Sequence, residues 1–483
     1  MTLIVLTAIL LYMLLLFVVS RLSRSGGTND AFFRAERRSP WWLVAFGMIG
    51  ASVSGVSLVS VPGWVRATGM TYLQMCVGFF AGYVVISFVL LPLYYRLRLT
   101  SIYVYLSERF GLRSHKTGAS FFLLSKLTGA AARLYLACLV LHQLALAPLG
   151  LPFGLTVAFV LLSIYLYTRR SGMATLVRTD ALQTLCMLLA TIGILWAVAE
   201  RMQLDVAGIV ALVGDSEMGR VFCWEWGSAQ CFWRQFLSGM FITIVMTGLD
   251  QDMMQKNLTC PRLRDAQKDM CLYGACFLPV NLLFLVLGVL LYSYAAGQGI
   301  ALPAEGDRVL PYLVGIGALG TWVVFPFTIG IVAAALSSAD SAMTSLTTSV
   351  CVDFINVERA DYGQQRAERM RRRVHVGVVV AFALCIGLFA LAGGGTIIDT
   401  IYRMAGYTYG PLLGLFGFGL MSKRRVRDRF VPLVAVAAPI VCGLLDYLAP
   451  RLWDYHFSYE LLLLNALLTG AGLWVLTIKR GDC

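Results

Sequence analysis

Long apolar runs constrain this chain more than any other feature. Thirteen of them lie near 2–20, 41–65, 70–95, 118–147, 151–168, 173–199, 235–255, 270–296, 317–352, 375–393, 395–421, 431–449 and 456–478. A helix needs about 20 apolar residues to cross the hydrocarbon core of a bilayer, so the runs read as about 13 transmembrane helices of an all-α integral membrane protein. They crowd the chain from end to end and leave no room for a soluble domain, which makes residues 1–483 one polytopic unit. The composition agrees: 59% of the residues are hydrophobic and 13% charged, with a mean hydropathy of +0.76, where soluble chains are about 25% charged.

A net charge of +13 raises the question of nucleic acid, and the positions of the charges answer it. Most of the 39 lysines and arginines fall on alternate loops, whereas the opposite loops hold only Arg66, Arg201, Arg220, Arg234, Arg308 and Arg451. That asymmetry is an orientation signal, because cytoplasmic loops retain basic residues. It puts the N-terminus outside and the C-terminus in the cytoplasm, and it excludes nucleic acid as the reason for the charge. The first run has no basic residue before it and arginines after it, so it reads as a retained helix rather than a cleaved leader. Most of the twelve cysteines sit inside spans as small apolar residues. Cys223 and Cys231 share the long outside loop, where a bridge is one of two open readings. Trp224, Trp226 and Trp233 of that loop read as interfacial anchors.

Two spans are too polar for plain lipid-facing helices. The second reads Gly47-Met-Ile-Gly-Ala-Ser-Val-Ser-Gly-Val-Ser-Leu-Val-Ser-Val-Pro-Gly63, poor material for an unbroken helix. Irregular backbone at membrane depth is tolerated only where it lines a cavity or is buried in protein. The ninth carries Ala333-Ala-Ala-Leu-Ser-Ser-Ala-Asp-Ser341, in which Ala334, Ser337, Ser338 and Asp340/Ser341 share one face at helical spacing. Small-residue helix packing is the plain alternative. Two such segments together point instead to a site built from corresponding parts of two halves. Hydroxyls and carbonyls suit a hard monovalent cation: the Ser337 and Ser338 hydroxyls, the Ala334 carbonyl, and the carbonyls of Gly50 and Val53 that a break would free.

Ionisable groups inside spans are functional candidates by default. Asp340 is one and Asp180 another, the latter with a salt bridge to Arg178 as its structural alternative. Arg133, deep in the fourth span, is either the partner of a buried carboxylate or a bidentate clamp on a solute carboxylate.

The motifs Phe32-Phe-Arg-Ala-Glu-Arg-Arg-Ser-Pro-Trp-Trp42, Tyr105-Leu-Ser-Glu-Arg-Phe-Gly111, Thr179-Asp-Ala-Leu-Gln183, Asp250-Gln-Asp-Met-Met-Gln255, Asp307 to Pro311 and Ala333 to Ser341, taken in this order, resemble the sodium:solute symporter family. The resemblance runs from about Asp30 to Lys423. It implies a LeuT-type inverted repeat of five plus five helices: an extra helix over 1–20, repeats over 41–202 and 233–421, and two C-terminal helices over 428–483. It implies a first sodium on Gly50, Val53, Ala334, Ser337 and Ser338, the five positions reached above from chemistry. A second sodium would use Asp180, Ser337, Asp340 and Ser341, with Asp340 standing where serine or threonine is usual. Among sialic acid transporters of the family, the positions matching Arg133, Ser52, Ser54, Ser57, Phe241 and Gln74 contact the substrate.

The expectation is therefore a sodium-driven importer of a small polar, carboxylate-bearing solute, sialic acid first, in a bacterial inner membrane, with one or two sodium ions, solute and lipid as its partners. No obligate protein partner, catalytic residue or cofactor site is evident. Another solute, or a proton-coupled variant using Asp180 and Asp340, is the nearer alternative, and a membrane sensor the more distant one. No nucleophile–base pair or metal cluster supports an enzyme.

Overall fold

A computed structural model of the chain describes residues 2–22, 28–53, 55–169, 172–357, 363–392, 397–453, 455, 457 and 460–477. The described residues form helices and one isolated bridge, Val426 with Thr477. In chain order the principal helices are α1 (Thr2–Leu22), α2 (Trp41–Ser52), α3 (Gly55–Thr68), α4 (Tyr72–Val85), α5 (Leu112–Leu141), α6 (Phe153–Thr168), α7 (Met173–Arg201), α8 (Phe232–Thr243), α9 (Gln251–Asn257), α10 (Leu263–Gly297), α11 (Val324–Ser349), α12 (Gln364–Ala392), α13 (Ile397–Met421), α14 (Val431–Trp453) and α15 (Leu461–Val475).

Each of the thirteen expected runs falls on helix. Among the described residues, eight helices are long and apolar enough to cross a membrane, or up to nine if the bent pair α2–α3 is one span. The expected thirteen therefore stands at eight or nine by length and composition alone; α6 and α15, for instance, are apolar but shorter.

Burial sorts the helices as a bilayer would. α12 and α14 turn Leu384, Leu388, Leu433 and Ile440 outward, as helices against lipid do. α11 is enclosed on every side, packed by α7, α5, α1, α2 and α3, and its hydroxyls from Ser337 to Ser349 are all buried. A helix this polar holds its place in a membrane interior because other protein, not lipid, surrounds it.

Two spans are interrupted. α2 stops at Ser52 and the chain bends by 58° before the next helical segment runs on through Thr68. The second interruption was not anticipated. α8 passes through a π turn over Ile244–Gly248, leaves helical geometry at Leu249 and Asp250, and resumes as α9. The polar ninth span, by contrast, is continuous helix. The polar ninth span faces the broken second one, as expected, and the second break lies in the seventh span. Asp250 marks it, because its side chain caps α9 by accepting from the backbone N–H groups of Asp252 and Met253 at 2.9 and 3.3 Å.

α4 and α8 cross at unusually close range. Gly78 and Gly82 form a G-x-x-x-G face, which lets backbones approach. A Cβ on Gly78 would run into the Phe236 carbonyl, one on Gly82 would lie 2.7 Å from the Met240 carbonyl, and one on Gly239 would strike the Met75 carbonyl. The segment between α7 and α8 carries a short helix, Val206–Asp215, and Trp224 and Trp226 of that segment, with Trp233 at the start of α8, are exposed, as interfacial anchors would be. Cys223 and Cys231 are both buried there as free thiols.

Gly78→Leu should drive α4 off α8 and cost about 1–3 kcal/mol, read as a lower melting temperature of the purified protein in detergent. Gly154→Leu is the control, since a Cβ there meets nothing within 4 Å and stability should not change.

Candidate functional site

The break after α2 brings backbone and side chains together at the centre of the bundle. A helix leaves its last four carbonyls without intrahelical partners. Val53 N–H still closes on the Ile49 carbonyl at 2.8 Å, and the Ala51 carbonyl accepts from Ser338 Oγ of α11 at 3.3 Å. Gly50, Val53, Ala334, Ser337 and Ser338 are all buried, with Ala334 one turn before Ser338 on the same face of α11. This is a neutral, oxygen-rich junction between a broken helix and a hydroxyl-bearing one, and its donor set fits sodium.

Asp180 lies beside it because α7 can approach α2 closely. A Cβ on Gly47 would sit 3.0 Å from Asp180 Cβ, and one on Gly50 would strike Thr184 Oγ1. Thr184 Oγ1 donates to the Phe46 carbonyl at 2.9 Å, tying the two helices. The Asp180 carboxylate accepts from Ser337 Oγ at 2.9 Å and Ser341 Oγ at 3.4 Å. Gln183, with its amide turned to satisfy both neighbours, donates to it at 3.1 Å. Its ionic partner is Lys256 of α9, whose Nζ lies 2.8 Å away. Arg178 is exposed, so the structural alternative named the wrong cation. Asp340 points elsewhere: Tyr167 of α6 donates to it at 2.6 Å, and so does the Ser341 N–H at 2.6 Å.

A central cavity of about 120 Å³ opens next to the junction. Ser52 and Ser57 line it beside Ser338, and Ser52 is hydrogen-bonded to Tyr273, which in turn accepts from Tyr83 at 2.8 Å. Tyr72, Phe79 and Phe277 continue the aromatic wall. On the other side α5 contributes Lys126, Gly129 and Arg133 at helical spacing, and α9 with its cap contributes Asp250 and Asp252. Lys126 Nζ bridges Asp250 at 3.2 Å and Asp252 at 2.7 Å, while Tyr409 donates to Asp250 at 2.5 Å. Two buried atoms here have no hydrogen-bond partner among the described residues: Arg133 Nε and Asp252 Oδ1.

Of the expected solute contacts, Ser52, Ser57 and Arg133 share this cavity. Ser54 lies outside the described residues. Gln74 is fully buried but turned toward the loop between α7 and α8, donating to the Thr71 and Gln230 carbonyls at 3.3 and 3.0 Å and accepting from Cys223 N–H at 3.1 Å. Phe241 packs against the core, and its neighbours Ile242 and Thr243 are the ones that reach the cavity. Sequence reasoning missed Lys126, Asp250, Asp252 and Lys256 as site residues. Lys256 falls one residue beyond the seventh expected run, 235–255, and so among the loop charges. Its position one helical turn after Asp252 was the available signal, since α9 runs on through Asn257.

The chain is 22% identical over 412 residues to the sodium/sialic acid symporter NanT of Aliivibrio fischeri, covering 83% of this chain and 79% of that protein. It is 22% identical over 414 residues to the sodium/sialic acid symporter SiaT of Proteus mirabilis, covering 83% and 81%. Human sodium-coupled monocarboxylate transporter 1 is 24% identical over 409 residues, of whose length the match spans 64% and of this chain 82%. Among solved structures, a Na+-coupled sialic acid symporter in a substrate-bound outward-open state superposes with a TM-score of 0.82 at 18% identity, over 98% of this chain and 97% of that one. The inward-facing conformation of Mhp1 shares the fold at a TM-score of 0.51 and 15% identity, over 94% of each chain. Residues 32–428, most of the chain, match the description of one family, and the chain belongs to the sodium:solute symporter family.

Proposed function

We propose that this symporter imports a small polar solute bearing a carboxylate by alternating access, with sialic acid as first candidate because two of its relatives carry that name. The observation that carries the reading is the contact of Ser338 with the Ala51 carbonyl at the α2 break, directly beside a cavity that holds Arg133. One sodium bound by Gly50, Val53, Ala334, Ser337 and Ser338 would join the broken helix to α11, and solute would bind next to that junction.

Within the cavity, Arg133 takes the solute carboxylate, since its guanidinium is planar and bidentate and its Nε has no other partner among the described residues. Ser52, Ser54 and Ser57 offer hydroxyls to the polar part of the solute. Gln74 and Phe241 act from the second row, Gln74 by holding the outer loop over the aromatic wall. Asp252 Oδ1 adds an acceptor that a plain monocarboxylate cannot use. A polyhydroxy acid satisfies both the Arg133 cation and this acceptor, which favours a sugar acid over a simple carboxylate.

The architecture of this reading has a helix over 1–20 outside the core, repeats over 41–202 and 233–421, and two further helices over 428–483. The breaks at Val53 and at Leu249–Asp250 support it, because each lies in the opening span of a repeat. The loop charges support an N-terminus outside and a C-terminus in the cytoplasm of a bacterial cell, with the protein in the inner membrane.

Sodium-dependent uptake of radiolabelled sialic acid into proteoliposomes tests the whole reading; no uptake with sodium across a panel of sugar acids would overturn it. Ser337→Ala and Ser338→Ala should each remove a neutral ligand worth about 1–2 kcal/mol and raise the sodium concentration for half-maximal uptake about ten-fold. Unchanged sodium dependence in both would take these residues out of the site. Arg133→Lys should impair uptake strongly while sodium-induced stabilisation survives, because a point charge cannot make the forked contact. Near-normal solute affinity in that variant would leave Arg133 a structural role only.

A further inference from the structure

The family resemblance places a second sodium on Asp180, Ser337, Asp340 and Ser341, and the side chains as arranged do not fit one. The Asp180 carboxylate is already matched by a full positive charge, Lys256 Nζ at 2.8 Å, with both groups almost completely buried. Its remaining capacity is taken by the Ser337 and Ser341 hydroxyls and the Gln183 amide. Asp340, the fourth expected ligand, accepts from Tyr167 and from the Ser341 N–H, and no hydrogen bond among the described residues joins it to Asp180, although the two buried carboxylates feel each other's charge. A hydroxyl can swing from donating to a carboxylate to coordinating a cation. An ammonium cannot: it has three donors and no acceptor, and a sodium at Asp180 would face a like charge in a medium of low dielectric.

The backbone fixes this ammonium in place. Lys256 stands on the last turn of α9, one turn after Asp252, and α9 is anchored at its other end by the Asp250 cap and the Lys126 bridge. Both Asp180 oxygens are engaged, Oδ1 by the Ser337 hydroxyl and Oδ2 by the Ser341 hydroxyl and the ammonium, while Lys256 Nζ faces the carboxylate as an ion pair and makes no aligned hydrogen bond among the described residues.

We infer that Lys256 is a tethered cation occupying the second sodium position, so that this symporter binds a single sodium. The inference rests on the reading of the first site given above and concerns only what stands at Asp180. In a transporter built this way the charge that a second ion would carry across the membrane stays with the protein. Each turnover is then driven by one sodium ion descending its gradient rather than two.

The test is equilibrium binding of sodium-22, sodium alone, to the purified full-length protein in detergent. The wild type should bind one sodium per chain with a hyperbolic isotherm. Lys256→Gln should bind two with a sigmoidal one, and Lys256→Gln combined with Asp180→Asn should return to one. Two sodium ions per wild-type chain would overturn the inference, as would a Lys256→Gln protein that still binds one with wild-type affinity. If Lys256→Gln alone does not fold, the charge-balanced double variant decides: one sodium in both it and the wild type supports the tethered cation, and a fall from two to one refutes it. Ser338→Ala separates the two readings, because an unchanged affinity there would remove the proposed first site without altering the count at Asp180.

Discussion

Everything at the centre of this molecule follows from interrupting helices where water cannot repair them. An unsatisfied backbone group in the hydrocarbon region costs several kcal/mol, so each interruption must be met by other protein groups. At the first, the Ala51 carbonyl is met by Ser338 of α11. At the second, the free N–H groups of Asp252 and Met253 are met by the Asp250 carboxylate. That carboxylate is itself a buried charge, and it is held by Lys126 and Tyr409. The need for polar company spreads outward in this way until α5, α7 and α13 are all involved.

The short helix α9 shows how far it spreads. Asp252 and Lys256, one turn apart, look in different directions: Asp252 toward Lys126 on α5, Lys256 toward Asp180 on α7. A seven-residue helix has little apolar surface with which to secure itself. It is positioned instead by two buried ion pairs, an arrangement in which loss of either partner strands a charge at a cost of about 3–5 kcal/mol. Such pairs contribute little net stability compared with apolar packing, but two of them reaching different helices define which way α9 is turned.

The fold class was legible because bilayer thickness writes itself into run length, and the first break because Gly, Ser and Pro cluster between Gly47 and Gly63. The second break was not, because Gly248 and the polar run from Asp250 to Gln255 read equally well as the cytoplasmic end of a span. The hydroxyl pair on α11 could be read from its spacing alone. Lys256 could not, because its partner lies 76 positions earlier and a span ended one residue short turned a buried cation into a loop charge. Asp180 was recognised as unusual while its counter-ion was sought next door at Arg178, and proximity in sequence was the wrong guide. Gln74 and Phe241 came from resemblance rather than from their own chemistry, and the loop between α7 and α8 and the core, respectively, absorb them here.

The glycines at 47 and 50 have a mechanical meaning beyond letting Asp180 approach. Together with the Thr184 bond to the Phe46 carbonyl, they clamp α2 to α7, whereas α3 beyond the break packs on α10 with Gly288 against the backbone of Pro62. α2 rests on α10 as well, through Ser52 and Tyr273, so what distinguishes the two halves of the span is the clamp to α7, which grips the first alone. The segment at Val53 is then a bearing rather than a flaw. A change of angle there would move α3 relative to α7, and a small cation lodged between Ser338 and the end of α2 would latch that bearing at one setting.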